Sequence, residues 1–274
     1  MKKSWVILLG TTAALIWAAW VAQKWIFAMF GADWSVTNLG AWGDTFGALN
    51  ALFSAFAFIA VLFTLKQQRD ELGRQQKQIL AAERDQHVQR FEQTFYELLR
   101  LLREARSDVR FSHTDQYKAL FSGPMPNSAS EFQGAEAFAH ANFEMIYCIG
   151  KLNPATQAEL AEQLAETYMT AVHLRYESSF APYYRLLYTI LLRIHEDSVL
   201  IDKEKHRFGN LLRSQLTSHE VALCCYNGLS AVSGSFKQLL LEFRIGKYLP
   251  EHFGKVDLKR VYDPKLFSGR DENP

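Results

Sequence analysis

One uncharged stretch decides the class of this chain: FGALNALFSAFAFIAVLFTL, residues 46–65. A helix rises about 1.5 Å per residue, so roughly 20 apolar residues cross the hydrocarbon core of a bilayer. A second uncharged stretch, WVILLGTTAALIWAAWVA, occupies residues 5–22, and residues 25–30 are apolar again. The two stretches predict a transmembrane hairpin, with spans at residues 5–22 (or 5–30) and 46–65 and an outer loop at residues 31–45.

Basic residues flank this hairpin on one side only. Lys2 and Lys3 precede the first span, four basic residues follow the second between positions 66 and 77, and residues 25–65 contain none. Because Lys and Arg accumulate on the cytoplasmic side of a membrane, both termini and the main domain are expected in the cytoplasm. Four tryptophans would then lie at the outer boundary as interfacial anchors: Trp20, Trp25, Trp34 and Trp42. The alternative for the first span is a cleaved signal peptide, although no Ala-x-Ala site with a polar mature start follows it.

Small and polar residues recur along both predicted spans. They are candidates for helix packing or gating: Gly10, Ala14, Ala18, Gly43, Asp44, Gly47, Asn50 and Ser54. Small residues let membrane helices approach closely, and the Asn50 amide needs a hydrogen-bond partner in hydrocarbon. The pattern is consistent with a tightly packed hairpin or with a face that assembles between subunits and lines a leak. Asp44 either caps the second span through the helix dipole or takes part in gating.

The remainder of the chain predicts an all-α domain without net charge. Of the 30 basic and 29 acidic residues, three and two precede residue 66, so the two signs are equal in number beyond it. Such a domain has no overall field that attracts nucleic acid. Residues 66–106 contain no proline and predict one long helix, in which a polar stalk leads to an apolar seam at spacings of three and four: Val88, Phe91, Phe95, Leu98 and Leu102.

Further helices are predicted along the domain, over residues 131–149, 155–174, 182–195, 203–216, 220–226 and 235–244. Residues 110–134 contain Gly-Pro, Pro-Asn and several serines, so they are expected to form a loop or a poorly ordered insert. The end of the chain is polar and is expected to fray. The predicted domains are therefore the hairpin (1–65), a stalk and docking helix (66–106), a cytoplasmic helical domain (107–250) and a C-terminal tail (251–274).

The chain lacks the common sequence signatures of enzymes. It contains no HExxH, CxxC, phosphate-loop glycine pattern or G-x-S-x-G motif, so no metal, cofactor or small-molecule substrate is expected and a non-enzyme is favoured. The three cysteines, Cys148, Cys224 and Cys225, are interpreted as buried apolar side chains. A redox role for the vicinal pair is the alternative.

Arg213 and His219 offer one catalytic alternative. Their R-x5-H spacing fits the loose signature of all-helical HEPN-type ribonucleases, in which an Arg and a His bracket a phosphate as charge stabiliser and acid/base. The competing interpretation is local, because Thr217 and Glu220 are spaced as a capping box and make His219 an ordinary residue of a helix N-terminus. Short spacing motifs of this kind also occur by chance.

Four blocks of sequence carry a resemblance to a known family. They are GAWGDTFGALNALFS (40–54), FEQTFYELL (91–99), YYRLLY (183–188) and LLRSQL (211–216), the last followed by Glu220 and by Tyr226-Asn227. In this order they resemble the AbiC-like family of bacterial membrane proteins linked to phage abortive infection, whereas residues 110–134 match little. The resemblance implies an antiviral effector in the bacterial inner membrane. Released or activated on infection, it would perturb that membrane and cause cell death or growth arrest.

The resemblance also implies partners and partner-binding residues. Two-span proteins of this type occur beside retron reverse transcriptases, so a reverse transcriptase with its RNA–DNA product is a candidate partner, besides the lipid bilayer and further copies in a homo-oligomer. The family-matched residues serve partner binding or the core: Tyr184, Arg185, Tyr188, Arg213, Gln215, Glu220, Tyr226 and Asn227. Packing is favoured for the tyrosines, and a paired core position for Arg185. A sensor or scaffold that recruits another toxic protein is the remaining alternative.

Overall fold

The computed structural model describes residues 11–12, 15–16, 18–19, 22, 36–120 and 131–269. The chain divides into two compact units, Met1–Ile79 and Leu80–Pro274. In the first unit, the seven described residues between Thr11 and Ala22 are helical. Gly10, Ala14 and the side chains of the four boundary tryptophans lie outside the described residues. The hairpin as a whole therefore stays a prediction.

A helix of 73 residues, α1 (Val36–Asp108), begins before the predicted second span and ends beyond the predicted seam. Residues 36–45, which the hydropathy pattern assigns to the outer loop, are helical instead. That part of the expectation is wrong because the segment contains no proline, so nothing in it interrupts the i→i−4 hydrogen bonds. Among the described residues, α1 is the one helix long and apolar enough to span a membrane by length and composition.

The described part of the second unit continues with eight α-helices: α2 (Asp115–Leu120), α3 (Ala135–Ile149), α4 (Gln157–Tyr168), α5 (Leu174–Glu196), α6 (Asp202–Arg213), α7 (Ser218–Leu229), α8 (Phe236–Glu242) and α9 (Lys255–Val261). A π-helical turn, Met169–His173, joins α4 to α5. Short 3-10 turns occur at Ala231–Ser233, Ile245–Tyr248, Glu251–Phe253 and Pro264–Leu266. The predominance of helix confirms the all-α class.

The segment expected to be a loop or insert is partly regular. Strands β1 (Arg110–Phe111) and β2 (Phe132–Gln133) pair antiparallel, with Arg110 opposite Gln133. Phe111 is fully buried, and α2 follows it, whereas residues 121–130 lie outside the described residues. Two-residue strands are too short to produce a detectable alternation of polar and apolar residues. The sequence therefore gives no sign of this ribbon.

The core of the second unit surrounds α7, in which nine consecutive residues, Glu220–Gly228, are buried. From α1, Phe91, Phe95 and Leu102 are buried, and Val88 and Leu98 are partly buried, which confirms the predicted seam. The ring of Phe208 from α6 lies 4.9 Å from the rings of both Phe91 and Phe95. Aromatic packing of this kind holds the second half of α1 in the domain.

Helix α5 begins at Leu174 and passes through Pro182, so the expected start at the proline is wrong. Its backbone leaves helical geometry once, at Tyr176 (φ −132°, ψ 32°). Phe180 and Ala181 are buried before the proline, and burial on both sides of it outweighs the one lost hydrogen bond. The apolar face expected after the proline is confirmed by the buried residues Tyr183, Leu187, Ile190, Leu191 and Ile194.

Within the tail expected to fray, the structure describes residues 251–269, and this part is ordered. Helix α9 and the following 3-10 turn bury Leu258, Tyr262 and Leu266. The Tyr262 hydroxyl donates to the carbonyl of Cys225 at 2.7 Å. The expectation fails because three apolar residues spaced by four anchor an otherwise polar segment to the core.

A single buried carboxylate joins three helices of this core. Glu220, in the first turn of α7, is fully buried, and its Oε1 accepts hydrogen bonds from Arg106 Nε at 2.5 Å and from the Tyr183 hydroxyl at 2.7 Å. Its Oε2 accepts from the backbone N–H of Thr217 at 2.6 Å, which confirms the capping box. Arg106 Nη2 also donates to the carbonyl of Gln215 at 2.5 Å. These five residues, called the Glu220 network below, link the end of α1 to α5 and α7.

Arg106→Ala should lower the free energy of unfolding by about 3 kcal/mol or more, because it leaves the buried Glu220 carboxylate without its cation. The matched control is Arg100→Ala on the same helix, since Arg100 is exposed and pairs with the exposed Glu97 and Glu104. Exposed pairs contribute little, so the control should unfold like the unmodified chain. Urea unfolding of the full-length protein in detergent micelles, followed by circular dichroism, measures both. Equal losses in the two variants would contradict a dominant role for the Glu220 network.

Candidate functional site

An open groove of about 440 Å³ lies along α5 and is called the α5 groove below. It is lined by Tyr184, Arg185, Tyr188, Thr189, Asn227 and residues 232–236. Helix α5 supplies one wall, and the end of α7 with the turn before α8 supplies the other. The groove therefore brings together four of the eight residues singled out by the family resemblance: Tyr184, Arg185, Tyr188 and Asn227.

Arg185 lies at the edge of this groove. Its side chain is 75 % exposed, and its Nη2 pairs with Glu177 Oε1 at 3.1 Å. The expected core position is wrong because Tyr183, Tyr184 and Leu187 occupy the buried face of α5, which leaves position 185 outside. An exposed guanidinium beside aromatic walls can donate to a carboxylate or phosphate of a partner.

The tyrosines of the motif mostly pack, as predicted. Tyr184 and Tyr226 are buried, and burial raises the pKa of both phenols. Gly254, with φ 97°, approaches Tyr226 so closely that a Cβ there would lie 2.0 Å from its hydroxyl. Tyr188 is partly buried, and its hydroxyl shares a hydrogen bond with Ser235 Oγ at 2.9 Å. Tyr188 is thus the motif tyrosine with a polar contact on the groove wall.

Arg213 and His219 have different surroundings. Arg213 Nη1 donates to the carbonyls of Phe243 and Arg244, at 3.3 and 3.1 Å. The His219 ring lies 4.2 Å from the ring of Phe253, and the Nδ1 atom of His219 lies 3.2 Å from the amide nitrogen of Asn142 on α3. No contact joins the two side chains within the described part of the chain, so the geometry gives no support to a ribonuclease site.

A second buried cluster of polar side chains contains two histidines, and the sequence patterns do not predict it. Glu144 on α3 is buried; its Oε2 is 2.8 Å from His113 Nδ1, and its Oε1 pairs with Arg175 at 3.2 Å. His113 Nε2 lies 2.9 Å from His140 Nδ1. Because a carboxylate only accepts, His113 donates from Nδ1 to Glu144. Glu144, His113 and His140 are called the histidine relay below. The i, i+4 spacing of His140 and Glu144 is a local signal for it, but His113 comes from a segment expected to be irregular.

The surroundings of His140 and His219 oppose their protonation. Burial lowers the pKa of His140, and the neighbouring His113 lowers it further. Burial also lowers the pKa of His219, with a further contribution from His252. For the Glu144 carboxyl, burial acts to raise the pKa, but the hydrogen bonds it accepts outweigh burial and leave the pKa below its ordinary value. Near neutral pH the Glu144 carboxyl is therefore ionised and the His140 imidazole is neutral.

The vicinal cysteines are buried thiols. Cys224 and Cys225 are free and fully buried, and burial raises the pKa of both, that of Cys225 to about 12. A thiol that stays protonated is a poor nucleophile, which agrees with the apolar interpretation and not with a redox role. Within the described ranges, no three His, Cys, Asp or Glu side chains are grouped to hold a metal ion.

The membrane candidates on α1 have exposed positions. Gly47, Asn50 and Ser54 are exposed, and nothing lies within 4 Å of a Cβ placed at Gly47. Gly43 and Asp44 are helical, and Ala18 is an exposed residue of the preceding helical segment. Their packing or gating role stays a prediction.

These features define a class: a helical domain with an open aromatic groove, joined to a long helix with an exposed apolar stretch. Residues 175–253 match the sequence model of the family described as "Putative phage abortive infection protein". The match runs from α5 to the 3-10 turn at Glu251–Phe253 and includes the α5 groove and Glu220. It confirms the AbiC-like resemblance in this segment and supports a general role in phage defence. No curated protein and no solved structure matches the chain.

The histidines predict that the protein loses stability in mild acid. The pKa values of His140 and His219 are lower in the folded chain than the value of about 6.5 expected after unfolding. Below about pH 6.5 the unfolded state therefore binds more protons than the folded state. The free energy of unfolding should be at its plateau above that pH and should fall as the pH drops below it.

His140→Asn separates this effect from general acid sensitivity. An Asn amide can donate in place of Nδ1 but does not titrate, so the variant should lose less stability between neutral and mildly acidic pH. His195→Asn changes an exposed histidine paired with Glu242 and is the control. Thermal unfolding across a pH series measures all three proteins. A pH dependence of His140→Asn identical to that of the unmodified chain would refute this origin.

Proposed function

We propose that the chain is an abortive-infection effector that perturbs the bacterial inner membrane when a phage infects the cell. One observation carries the proposal: the large apolar side chains of α1 between Leu52 and Leu65 are exposed around the whole helix. None of its most apolar window is buried inside the protein. A helix that is apolar all round needs a protein core or a bilayer around it. A lipid bilayer meets that requirement here.

The harm to the cell is proposed to be physical. Apolar spans that rearrange or associate allow ions to leak, and each charge that crosses dissipates about 2.3 kcal/mol per 100 mV of membrane potential. The face with Gly47, Asn50 and Ser54 is the proposed contact between copies in a homo-oligomer, because small and polar residues favour close helix association. The matched family segment supports the defence role, and the exposed apolar stretch supports the membrane as its target.

Such an effector needs a silent and an active arrangement. Helix α1 contains the apolar stretch, the seam that packs against Phe208, and Arg106 of the Glu220 network. A trigger changes the balance only if it binds one arrangement more tightly, by about 5.5 kcal/mol for a decisive switch. We assign trigger or partner binding to the α5 groove. Its open aromatic walls and the exposed Arg185 fit a partner that carries phosphate or carboxylate groups.

A retron reverse transcriptase with its RNA–DNA product is the partner that the family resemblance suggests for the silent state. The same groove supports a second candidate function, a scaffold that recruits another toxic protein. The two functions differ in what they require of residues 1–65. A membrane-perturbing effector needs these residues for toxicity, whereas a scaffold uses them only as an anchor.

Asn50→Leu should abolish depolarisation of the membrane, because it removes the one amide in the apolar stretch of α1 and leaves its hydrophobicity intact. Thr64→Val is the matched control on the same helix, since the Thr64 hydroxyl donates to the carbonyl of Ala60 at 2.8 Å and is satisfied locally. Cells expressing each variant at equal abundance are challenged with phage and followed with a potential-sensitive dye.

The expected result is rapid depolarisation with the unmodified chain and with Thr64→Val, no depolarisation with Asn50→Leu, and intact RNA in all cases. Full toxicity of a chain lacking residues 1–65 would overturn the membrane proposal and favour recruitment. RNA cleavage that is lost in His219→Ala would favour the ribonuclease alternative instead.

A further inference from the structure

A second, smaller cavity lies between α6 and the turn that follows α8. It has a volume of about 60 Å³ and is lined by His206, Asn210, Arg213, Glu242, Arg244 and Lys247. Gly209 allows the two elements to approach, because a Cβ there would lie 2.5 Å from the ring of Phe243. A water molecule needs roughly 10–15 Å³ of such space. The cavity, called the Arg213 pocket below, therefore has room for a small ion and not for a peptide.

The lining of the Arg213 pocket is rich in hydrogen-bond donors. The Arg213 guanidinium uses three N–H···O contacts, to the carbonyls of Phe243 and Arg244 and to Asn210 Oδ1 at 2.8 Å. A guanidinium has five N–H groups, so two remain. The Asn210 Oδ1 atom accepts this hydrogen bond from Arg213, and the two N–H groups of the Asn210 amide remain available as donors. His206 donates from Nδ1 to the carbonyl of Asp202 at 2.5 Å, which leaves its Nε2 for the pocket.

Positive charge exceeds negative charge at this pocket. The one carboxylate in the lining, Glu242, pairs with His195 at 2.8 Å. Arg213 and Lys247 both lie over the ring of Tyr248, at 5.3 and 4.9 Å from its centroid. Among the described residues, no carboxylate forms an ion pair with Lys247. The three cationic side chains of the lining, Arg213, Arg244 and Lys247, outnumber its one carboxylate. The excess of positive charge would be reduced by a bound anion.

Arg244 adds a feature of the backbone. Its φ of 49° is the only positive φ of a non-glycine residue in the described part of the chain. This left-handed conformation costs about 1 kcal/mol and persists where the surroundings impose it, often at binding sites. Here it reverses the chain after α8, and the guanidinium of Arg244 donates to the carbonyl of Gly269. The proximity of Arg244 also adds to burial in lowering the pKa of Arg213.

We infer that the Arg213 pocket binds a small oxyanion: a phosphate group, either free or at the end of a phosphomonoester. Arg213, Arg244 and Lys247 supply the charge, and the amide of Asn210 supplies a neutral donor. The size of the pocket selects one phosphate group and leaves any attached group outside. This site is independent of the proposed membrane activity, because it requires only the described residues of α6 and of the turn after α8.

The competing explanation is that Arg213 serves the ends of helices. It is the last residue of α6, and its donation to two carbonyls after α8 satisfies acceptors at a helix C-terminus. That role accounts for Arg213 but does not involve Lys247. Lys247 is therefore the residue that separates a binding site from a structural cap.

The experiment measures thermal unfolding of the full-length protein in detergent micelles, with increasing inorganic phosphate against chloride at equal ionic strength. Phosphate should raise the Tm of the unmodified chain, and Lys247→Gln should weaken the apparent affinity about tenfold, the effect of losing about 1.4 kcal/mol of charge-assisted hydrogen bonding. Lys247→Arg should restore it. Lys259→Gln is the matched control, because Lys259 is an exposed lysine paired with Glu251 outside the pocket.

Adenosine monophosphate and adenosine distinguish the source of the phosphate group. A shift with inorganic phosphate that is matched by the monophosphate supports a free anion, and a larger shift with the monophosphate supports a phosphomonoester. Adenosine should have no effect in either case. Equal shifts in phosphate and chloride, or an undiminished phosphate shift in Lys247→Gln, would overturn the site.

Discussion

The fully buried carboxylate of Glu220 is the constraint on which the helical domain depends. A buried charge is tolerated only when a cation and hydrogen-bond donors satisfy it, and here Arg106, Tyr183 and the N–H of Thr217 do so. These partners come from α1, from α5 and from the residue before α7. The positions of three helices are therefore set together, because a shift of any one leaves a charge or a donor unpaired. Contacts of this kind favour two discrete arrangements over gradual deformation.

Local patterns predict most of the helices, and long-range pairs explain most of what they miss. The seam of α1 and the Thr217–Glu220 capping box are read from spacings of three and four residues. The distant partners of Glu220 cannot be read in this way, since Arg106 is 114 positions away and Tyr183 is 37 positions away, and no periodicity connects them to Glu220. The same reason hides His113 of the histidine relay. The order of the tail is different, because Leu258, Tyr262 and Leu266 carry a four-residue spacing that a largely polar composition obscures.

The candidate groove was predictable in part. The resemblance singles out Tyr184, Arg185 and Tyr188, and helical geometry places them along α5, but the opposite wall at residues 232–236 has no pattern that marks it. Arg185 shows which argument to prefer when two conflict. The buried face through Tyr183 and Leu187 already assigns position 185 to the outside. The rule that a buried arginine is usually paired does not decide whether a given arginine is buried.

The α5 groove and the Arg213 pocket each contain a residue that is close in sequence to a member of the Glu220 network. Tyr184 follows Tyr183, which donates to Glu220, and Arg213 precedes by two residues Gln215, whose carbonyl accepts from Arg106. A ligand at either position therefore contacts residues beside the ones that hold the end of α1. Such a ligand influences α1 only through a difference in its affinity for the two arrangements, and linkage makes that influence reciprocal. If a ligand at either position binds the two arrangements with different affinities, release of the end of α1 from the Glu220 network changes the affinity for that ligand by the same factor.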